Sequence, residues 1–320
     1  MKIVAATWFP YTLPLLNPWV TSRGRREHLS GQLLRLSSAD GLTGWGDAAP
    51  LPEFSISAEQ ARHFARETAL LDLCAQARQL PLHQFLSQGP WISRLRIHEN
   101  LGNLAGISES HLSLLAKRSA PVCKIKVGIQ PWGEEIDSLR RVTQALPANT
   151  RLRLDANQAW NQADAQAFIK ACSELQLPIE SLEEPLQVES HNTELHAALG
   201  RLQQCCEFPL AIDESADLIA PSFWQAPPVR RIIIKPARHG GLLGAFNLAR
   251  RARLAGLECV VTSALESNCG VLACAHLAAA IAPTTIHGLH HPRTEGHLNP
   301  SFVRDGNFYL PKLPGLGLRP

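Results

Sequence analysis

The sequence predicts a parallel α/β barrel preceded by an α+β module, on three observations. From about residue 95 onward, short apolar, β-rich runs alternate with helical stretches, the pattern of βα units around a parallel sheet. Charged residues close successive runs at near-constant spacing. Lys126 to Asp155 is 29 residues, a further 28 reach Glu183, 30 reach Asp213, 22 reach Lys235 and 28 reach Ser263. A period near 30 is one strand–helix unit, and charges at strand C-terminal ends collect on one rim of a barrel. The first ninety or so residues lack this alternation and read as strands followed by a helix.

The elements follow in order. Met1–Leu16 and Leu29–Leu36 read as strands, and Gly41-Leu-Thr-Gly44-Trp45-Gly46 as a turn leading into a short strand. Ala58–Ala77 has helix-forming composition and starts after Ser55-Ile-Ser57, with Glu59 in its first turn. Eight barrel strands are expected at Leu95–His98, Val122–Val127, Leu152–Asp155, Ile179–Glu183, Leu210–Asp213, Val229–Ile234, Leu257–Thr262 and Thr285–Leu289. Helical patterns such as Glu134–Leu146, Ala163–Leu175 and Gly240–Ala255 lie between them. The last twenty residues, rich in Pro and Gly, are expected to return to the first module. The expected division is an α+β domain at 1–92, joined by 300–320, and a catalytic barrel at 93–299.

Composition narrows the function. Of 320 residues, 45% are hydrophobic and 18% charged, as in an ordinary soluble globular protein. The net charge is +3 and no Lys/Arg block occurs, which argues against nucleic acid. Arg23, Arg25 and Arg26 read as a solvated loop. The eight cysteines form no CxxC pair and mostly sit in apolar stretches, so they read as reduced core residues of a cytoplasmic protein. Pro10, Pro14, Asn17 and Pro18 interrupt the apolar N-terminus, and neither a signal peptide nor a membrane span is expected. Nothing in the sequence decides between a monomer and a homo-oligomer.

The strand-end charges carry the chemistry. Lys124 and Lys126, at i and i+2, share one face of a strand, about 6–7 Å apart. Like charge and burial would lower both pKa values, which suits Lys126 to general-base work. Asp155, Glu183 and Asp213 close consecutive strands. Three carboxylates so close repel severely unless a divalent ion compensates them, and an all-oxygen donor set favours Mg²⁺. Glu184 and Glu214 are adjacent alternatives, only one of each pair facing inward. Lys235 closes a later strand, as a second acid/base group or an electrostatic partner. Ser263 and the segment His287-Gly288-Leu289 end the last strands, where hydroxyl and amide groups could hold a substrate carboxylate. No role falls to His290 or His291. Together these groups suit proton removal alpha to a carboxylate, where a metal ion and flanking lysines stabilise the dianionic enediolate. A Schiff-base aldolase using Lys235 would leave the three acids unexplained, and a non-catalytic barrel would leave costly charge without function.

The ordered set Lys124-Ile-Lys126, Leu154-Asp-Ala-Asn157, Leu182-Glu-Glu-Pro185, Asp213-Glu-Ser215 and Lys235-Pro236 resembles the enolase superfamily, muconate-lactonising-enzyme subgroup, over nearly the whole chain. The resemblance implies a modified TIM barrel, (β/α)7β, with an N-terminal α+β capping domain. It implies one Mg²⁺ on Asp155, Glu183 and Asp213, Lys126 as base, Lys124 as its electrostatic neighbour and Lys235 opposite. Gly44-Trp-Gly-Asp-Ala-Ala-Pro-Leu-Pro-Glu-Phe-Ser55, Arg151-Leu-Arg-Leu-Asp-Ala-Asn-Gln-Ala-Trp160 and Ser263–Gly270 are similar to a dehydratase branch of that subgroup. That likeness implies a small carboxylate substrate positioned by Arg153, Asn157, Ser263 and Gly288. Epimerases and racemases of the same subgroup, using Lys126 and Lys235 as two bases, are the alternative. His287-Gly-Leu-His-His-Pro lacks the Asp-x-Asp signal usual in dipeptide epimerases.

Overall fold

The computed structural model describes residues 1–21, 24–115, 120–187, 193–218, 221–289 and 302–318. Arg23, His290, His291 and the expected boundary at 299/300 lie outside them. In chain order the first strands are β1 (Ile3–Thr21), β2 (Gly24–Ser38), β3 (Thr43–Ala48), β4 (Arg94–Ile97) and β5 (Glu99–Asn103). Then come β6 (Val122–Lys126), β7 (Arg151–Asp155), β8 (Ile179–Glu183), β9 (Leu210–Ile212), β10 (Arg231–Ile234) and β11 (Glu258–Val261). Three short strands follow, β12 (Ile286–His287), β13 (Val303–Arg304) and β14 (Asn307–Tyr309). The helices are α1 (Ala58–Ala77), α2 (Leu82–Ser87), α3 (Glu109–Leu115), α4 (Trp132–Ala145), α5 (Gln162–Glu174), α6 (Thr193–Gln204), α7 (Gly241–Leu254) and α8 (Asn268–Ile281). The chain groups into two compact units, one of Met1–Ile97, Ile234–Arg250 and Cys259–Pro320, the other of His98–Ile233 and Arg251–Glu258.

In the first unit β1, β2 and β3 form an antiparallel sheet, in that order. Helix α1 opens with a capping box. Ser57 Oγ accepts from the Gln60 amide while Gln60 Oε1 accepts from the Ser57 amide, so two otherwise orphaned donors are satisfied. The glycines of Gly44-Trp-Gly46 let this helix lie against β3. A methyl group on Gly46 would stand 1.9 Å from the Ala65 carbonyl oxygen, and one on Gly44 2.2 Å from that of Ala69. Helix α8 is buried almost all round, as its run of Ala, Cys and Leu demands. A second sheet, in the order β12-β4-β14-β13, ties residues 303–309 to β4. Gly315 then exchanges backbone hydrogen bonds with Leu80 and Leu82, so the C-terminal segment is anchored beside α2.

The remaining sheet has seven parallel strands, in the order β11-β10-β9-β8-β7-β6-β5. Its strands are short, apolar and buried, as in parallel sheets covered by helices. Two strands differ from expectation, for Thr285–Leu289 supplies β12 of the four-stranded sheet and not a strand of this one. Leu95–His98 was expected to start this sheet, but β4 pairs with β12 and β14 instead. The polar run Glu99–Asn103 takes the edge place beside β6. Its register is irregular between Asn100 and Asn103, where Gly102 adopts φ +75°. An edge strand needs only one ladder, so it tolerates this break and its polar side chains.

Candidate active site

Strand register brings the predicted charges together. Lys126 pairs with Asp155, Asp155 with Glu183, and Glu183 with Ala211, two residues before Asp213. Asp155, Glu183 and Asp213 are all buried. Lys124 Nζ stands 2.9 Å from Asp155 Oδ2 and also pairs with Glu183 Oε2. Burial opposes the charge on Lys124, but Asp155, Glu183 and Asp213 outweigh it, and its pKa is raised. This reverses the expectation that the two lysines depress one another: for Lys124 the nearby carboxylates dominate. For Glu183 burial is the larger influence and raises the pKa, with Lys124 pulling the other way.

The loops that end these strands are held by buried carboxylates. Glu184 leaves its strand at φ +45°, so it points away from Glu183. Its Oε1 accepts from the backbone amides of Asp213 (2.5 Å) and Ser215 (2.9 Å) and from Ser215 Oγ (2.6 Å). Its Oε2 accepts from Gln158 Nε2. Glu184 therefore fixes the backbone that carries Asp213. Asn157, also left-handed at φ +45°, donates its amide to Asp155 Oδ1 at 3.1 Å. Beyond Lys126, Gly128 at φ +84° and its two successors donate their amides to Glu135, buried in the first turn of α4. The sequence reading assigned none of these clamps. Their only signal was a second acid beside Glu183 and an acid at a helix start.

Arg153, expected to contact substrate, is engaged within the sheet. Its side chain is fully buried, with Nε 3.0 Å from Glu180 Oε2 and Nη1 3.0 Å from His98 Nδ1. Glu180 in turn accepts two bonds from Arg231, which also pairs with Glu258. Arg153 Nε lies 4.0 Å from Glu183 Oε1, an atom that accepts no hydrogen bond.

A buried carboxylate oxygen without a hydrogen-bond partner, among three acids on adjoining strands, suits a hard cation. Among the described residues, however, no three Asp, Glu, His or Cys side chains form a ready metal cluster. Lys124 already neutralises two of the acids, so an ion would share them with it.

The other predicted residues belong to the first unit. Lys235 follows β10, its amide donating to His239 Nδ1 and its Nζ 6.0 Å from the centre of the Phe54 ring. Phe54 is presented by a closed turn in which Leu51 pairs with Ile56 and Arg26 pairs with Glu53. Ser263 and Gly288 are brought together: the Ser263 amide donates to the Gly288 carbonyl at 3.0 Å and its hydroxyl at 3.3 Å.

Comparison with known proteins shows the family and the fold. The Enolase C-terminal domain-like family matches residues 109–320. An o-succinylbenzoate synthase of Yersinia enterocolitica is 30% identical over 300 residues, covering 89% of each chain. Among solved structures, an N-succinyl Arg/Lys racemase from Bacillus cereus superposes with a TM-score of 0.85 at 22% identity, covering 99% of this chain and 95% of that one. A dipeptide epimerase from Cytophaga hutchinsonii, complexed with Mg and D-Ala-L-Val, gives 0.84 at 23%, covering 99% and 95%. At such identity these two structures establish the fold alone. The chain belongs to the enolase superfamily, and its fold is the modified (β/α)7β barrel with an N-terminal α+β domain. Within that superfamily of enzymes, several of its relatives are o-succinylbenzoate synthases.

Proposed function

We propose that this enzyme is an o-succinylbenzoate synthase. It would eliminate water from 2-succinyl-6-hydroxy-2,4-cyclohexadiene-1-carboxylate, giving o-succinylbenzoate for menaquinone (vitamin K2) biosynthesis. The 30% identity to such a synthase across 89% of both chains carries this reading. The ordered strand-end charges support it, since they are the groups a carbon acid beside a carboxylate requires.

Asp155, Glu183 and Asp213 would hold Mg²⁺, which when bound supplies positive charge to the substrate carboxylate. Lys126 removes the alpha proton, breaking that C–H bond. As the electrons return to the ring the C–O bond breaks, and Lys126 delivers its proton to the departing hydroxyl, so water leaves and the ring becomes aromatic. Lys124 is held cationic by Asp155, Glu183 and Asp213, two residues from Lys126 on the same strand. Lys235 stays cationic and stabilises the dianionic intermediate. Aromatisation makes the step downhill, so one base suffices.

Epimerisation of dipeptides or N-acylamino acids is the second reading, because an epimerase and a racemase share this fold. It needs Lys126 and Lys235 as a pair of bases. The readings separate when equal amounts of enzyme are given the cyclohexadiene substrate in one vessel, and N-succinylamino acids or dipeptides in D2O in another. The dehydratase reading expects aromatisation at least ~10²-fold faster than alpha-deuterium exchange. Faster exchange would make the protein an epimerase.

A further inference from the structure

Lys126, the proposed base, is the last residue of β6, and side-chain packing does little to hold the chain beyond it. Val127 and Glu135 are buried, while every residue between them is at least partly exposed, Ile129 by 51%. On one flank Lys126 pairs with Asp155 of β7, and the Val127 amide donates to the Asp155 carbonyl at 2.9 Å. On the other flank lies the edge strand β5, whose register breaks between Asn100 and Asn103, the partners of Lys124 and Lys126. A strand end with regular support from one side only shifts readily unless another group fixes it.

Glu135 is such a group. It stands in the first turn of α4, 1% exposed, and reaches back to the loop. Its Oε2 accepts from the Gly128 amide at 2.8 Å, and its Oε1 from the amides of Ile129 at 3.0 Å and Gln130 at 3.2 Å. Three successive amides thus converge on one buried carboxyl group. Both oxygens bind loop amides rather than those of the first turn of α4, so this is not a cap for its own helix. The turn depends on Gly128, left-handed at φ +84°, where a methyl group would stand 2.4 Å from Ala159 Cβ. The clamped loop therefore lies against the segment that follows β7.

We propose that Glu135 is a positioning residue for Lys126. By holding the amides of Gly128, Ile129 and Gln130 it fixes the end of β6, and with it the place from which the lysine side chain starts. A misplacement of about 1 Å caused away from the reacting atoms costs up to ~10²-fold in rate. The role given to Lys126 rests on the proposed function; the clamp on its strand does not.

Two measurements on the full chain keep these apart. Amide hydrogen exchange needs no substrate and compares wild type with Glu135→Gln, which keeps one acceptor and turns a donor towards the loop, and with Glu135→Ala. The amides of Val127 to Gln130 should exchange at least ~10-fold faster in Glu135→Gln and faster again in Glu135→Ala, while β7 and the C-terminal half of α4 keep their protection. Faster exchange confined to α4, or none, would overturn the proposal whether or not the chain turns over any substrate. The second measurement is turnover of the cyclohexadiene substrate. Glu135→Gln should lower kcat about 10-fold with KM within about threefold of wild type. Added to Lys126→Ala it should lower the rate no further, because no base remains to be misplaced. An equal further loss in the Lys126→Ala background would make Glu135 a general structural residue and overturn the proposal. Lys126→Ala within about tenfold of wild type would overturn the functional reading, and with it the role of Lys126, an outcome seen in that variant alone.

Discussion

Lys124 and Asp155 form a buried ion pair of 2.9 Å across adjacent strands, and the same ammonium reaches Glu183. Lys124 thus stabilises two of the three acids assigned to the metal. Removing one acid should disturb function far more than fold, because the lysine keeps its other partner. Asp155→Asn or Glu183→Gln should lose Mg²⁺ binding by calorimetry and about 10³-fold or more in turnover, with the circular dichroism spectrum unchanged. Unchanged Mg²⁺ affinity in both variants would remove these acids from the metal site.

Lys126→Ala should lower kcat by about 10⁴-fold, the upper range for removing a general base. Mg²⁺ affinity should change little, since Asp155, Glu183 and Asp213 remain. A loss below tenfold would place the base elsewhere.

Glu180→Gln tests the buried chain of Arg153, Glu180, Arg231 and Glu258. Leaving two buried guanidinium groups with one partner fewer should cost about 3–5 kcal/mol in denaturant unfolding. Although burial opposes its charge, the hydrogen bonds and charges of Arg231 and Arg153 hold Glu180 well below the usual carboxylate range. Its stabilisation is therefore present above about pH 4.5, the unfolded value, and lost as pH falls below it. Equal unfolding midpoints for variant and wild type at pH 7 would show that the network is energetically neutral.

His83 and His276 predict a separate acid effect. The Ile92 amide donates to His83 Nε2, so His83 carries its proton on Nδ1, 3.2 Å from His276 Nδ1. His276 Nε2 then donates to the Leu316 carbonyl. Every ring nitrogen is used with both rings neutral, and burial lowers the pair to about 4 and about 3. The unfolded chain binds protons near pH 6.5, so stability should fall as pH drops from there towards 4. His83→Gln should be less stable at pH 8 yet lose less on acidification, as melting temperatures across that range would show. Identical slopes would mean that the pair does not govern acid stability.

The barrel and its charged strand ends were legible because β6 to β10 are largely apolar runs closed by an acid or a lysine, and parallel register then aligns those ends. Lys126, Asp155 and Glu183 pair as the spacing implies. Strand β5 was not legible, since Glu99-Asn-Leu-Gly-Asn103 carries neither alternation nor β-branched residues and an edge position requires neither. The clamp made by Glu184 was hidden for a different reason. Strand alternation shows that it faces away from Glu183, but not that φ +45° turns it towards Ser215. The engagement of Arg153 with Glu180 and His98 depends on partners 27 and 55 residues distant, which no local pattern reports.

The most direct test is conversion of 2-succinyl-6-hydroxy-2,4-cyclohexadiene-1-carboxylate, followed by ultraviolet absorbance with Mg²⁺ and then with excess EDTA. Rapid aromatisation that EDTA abolishes and added Mg²⁺ restores is the expected result. No turnover by protein that still binds Mg²⁺ would contradict the dehydratase assignment and direct the search to epimerase substrates.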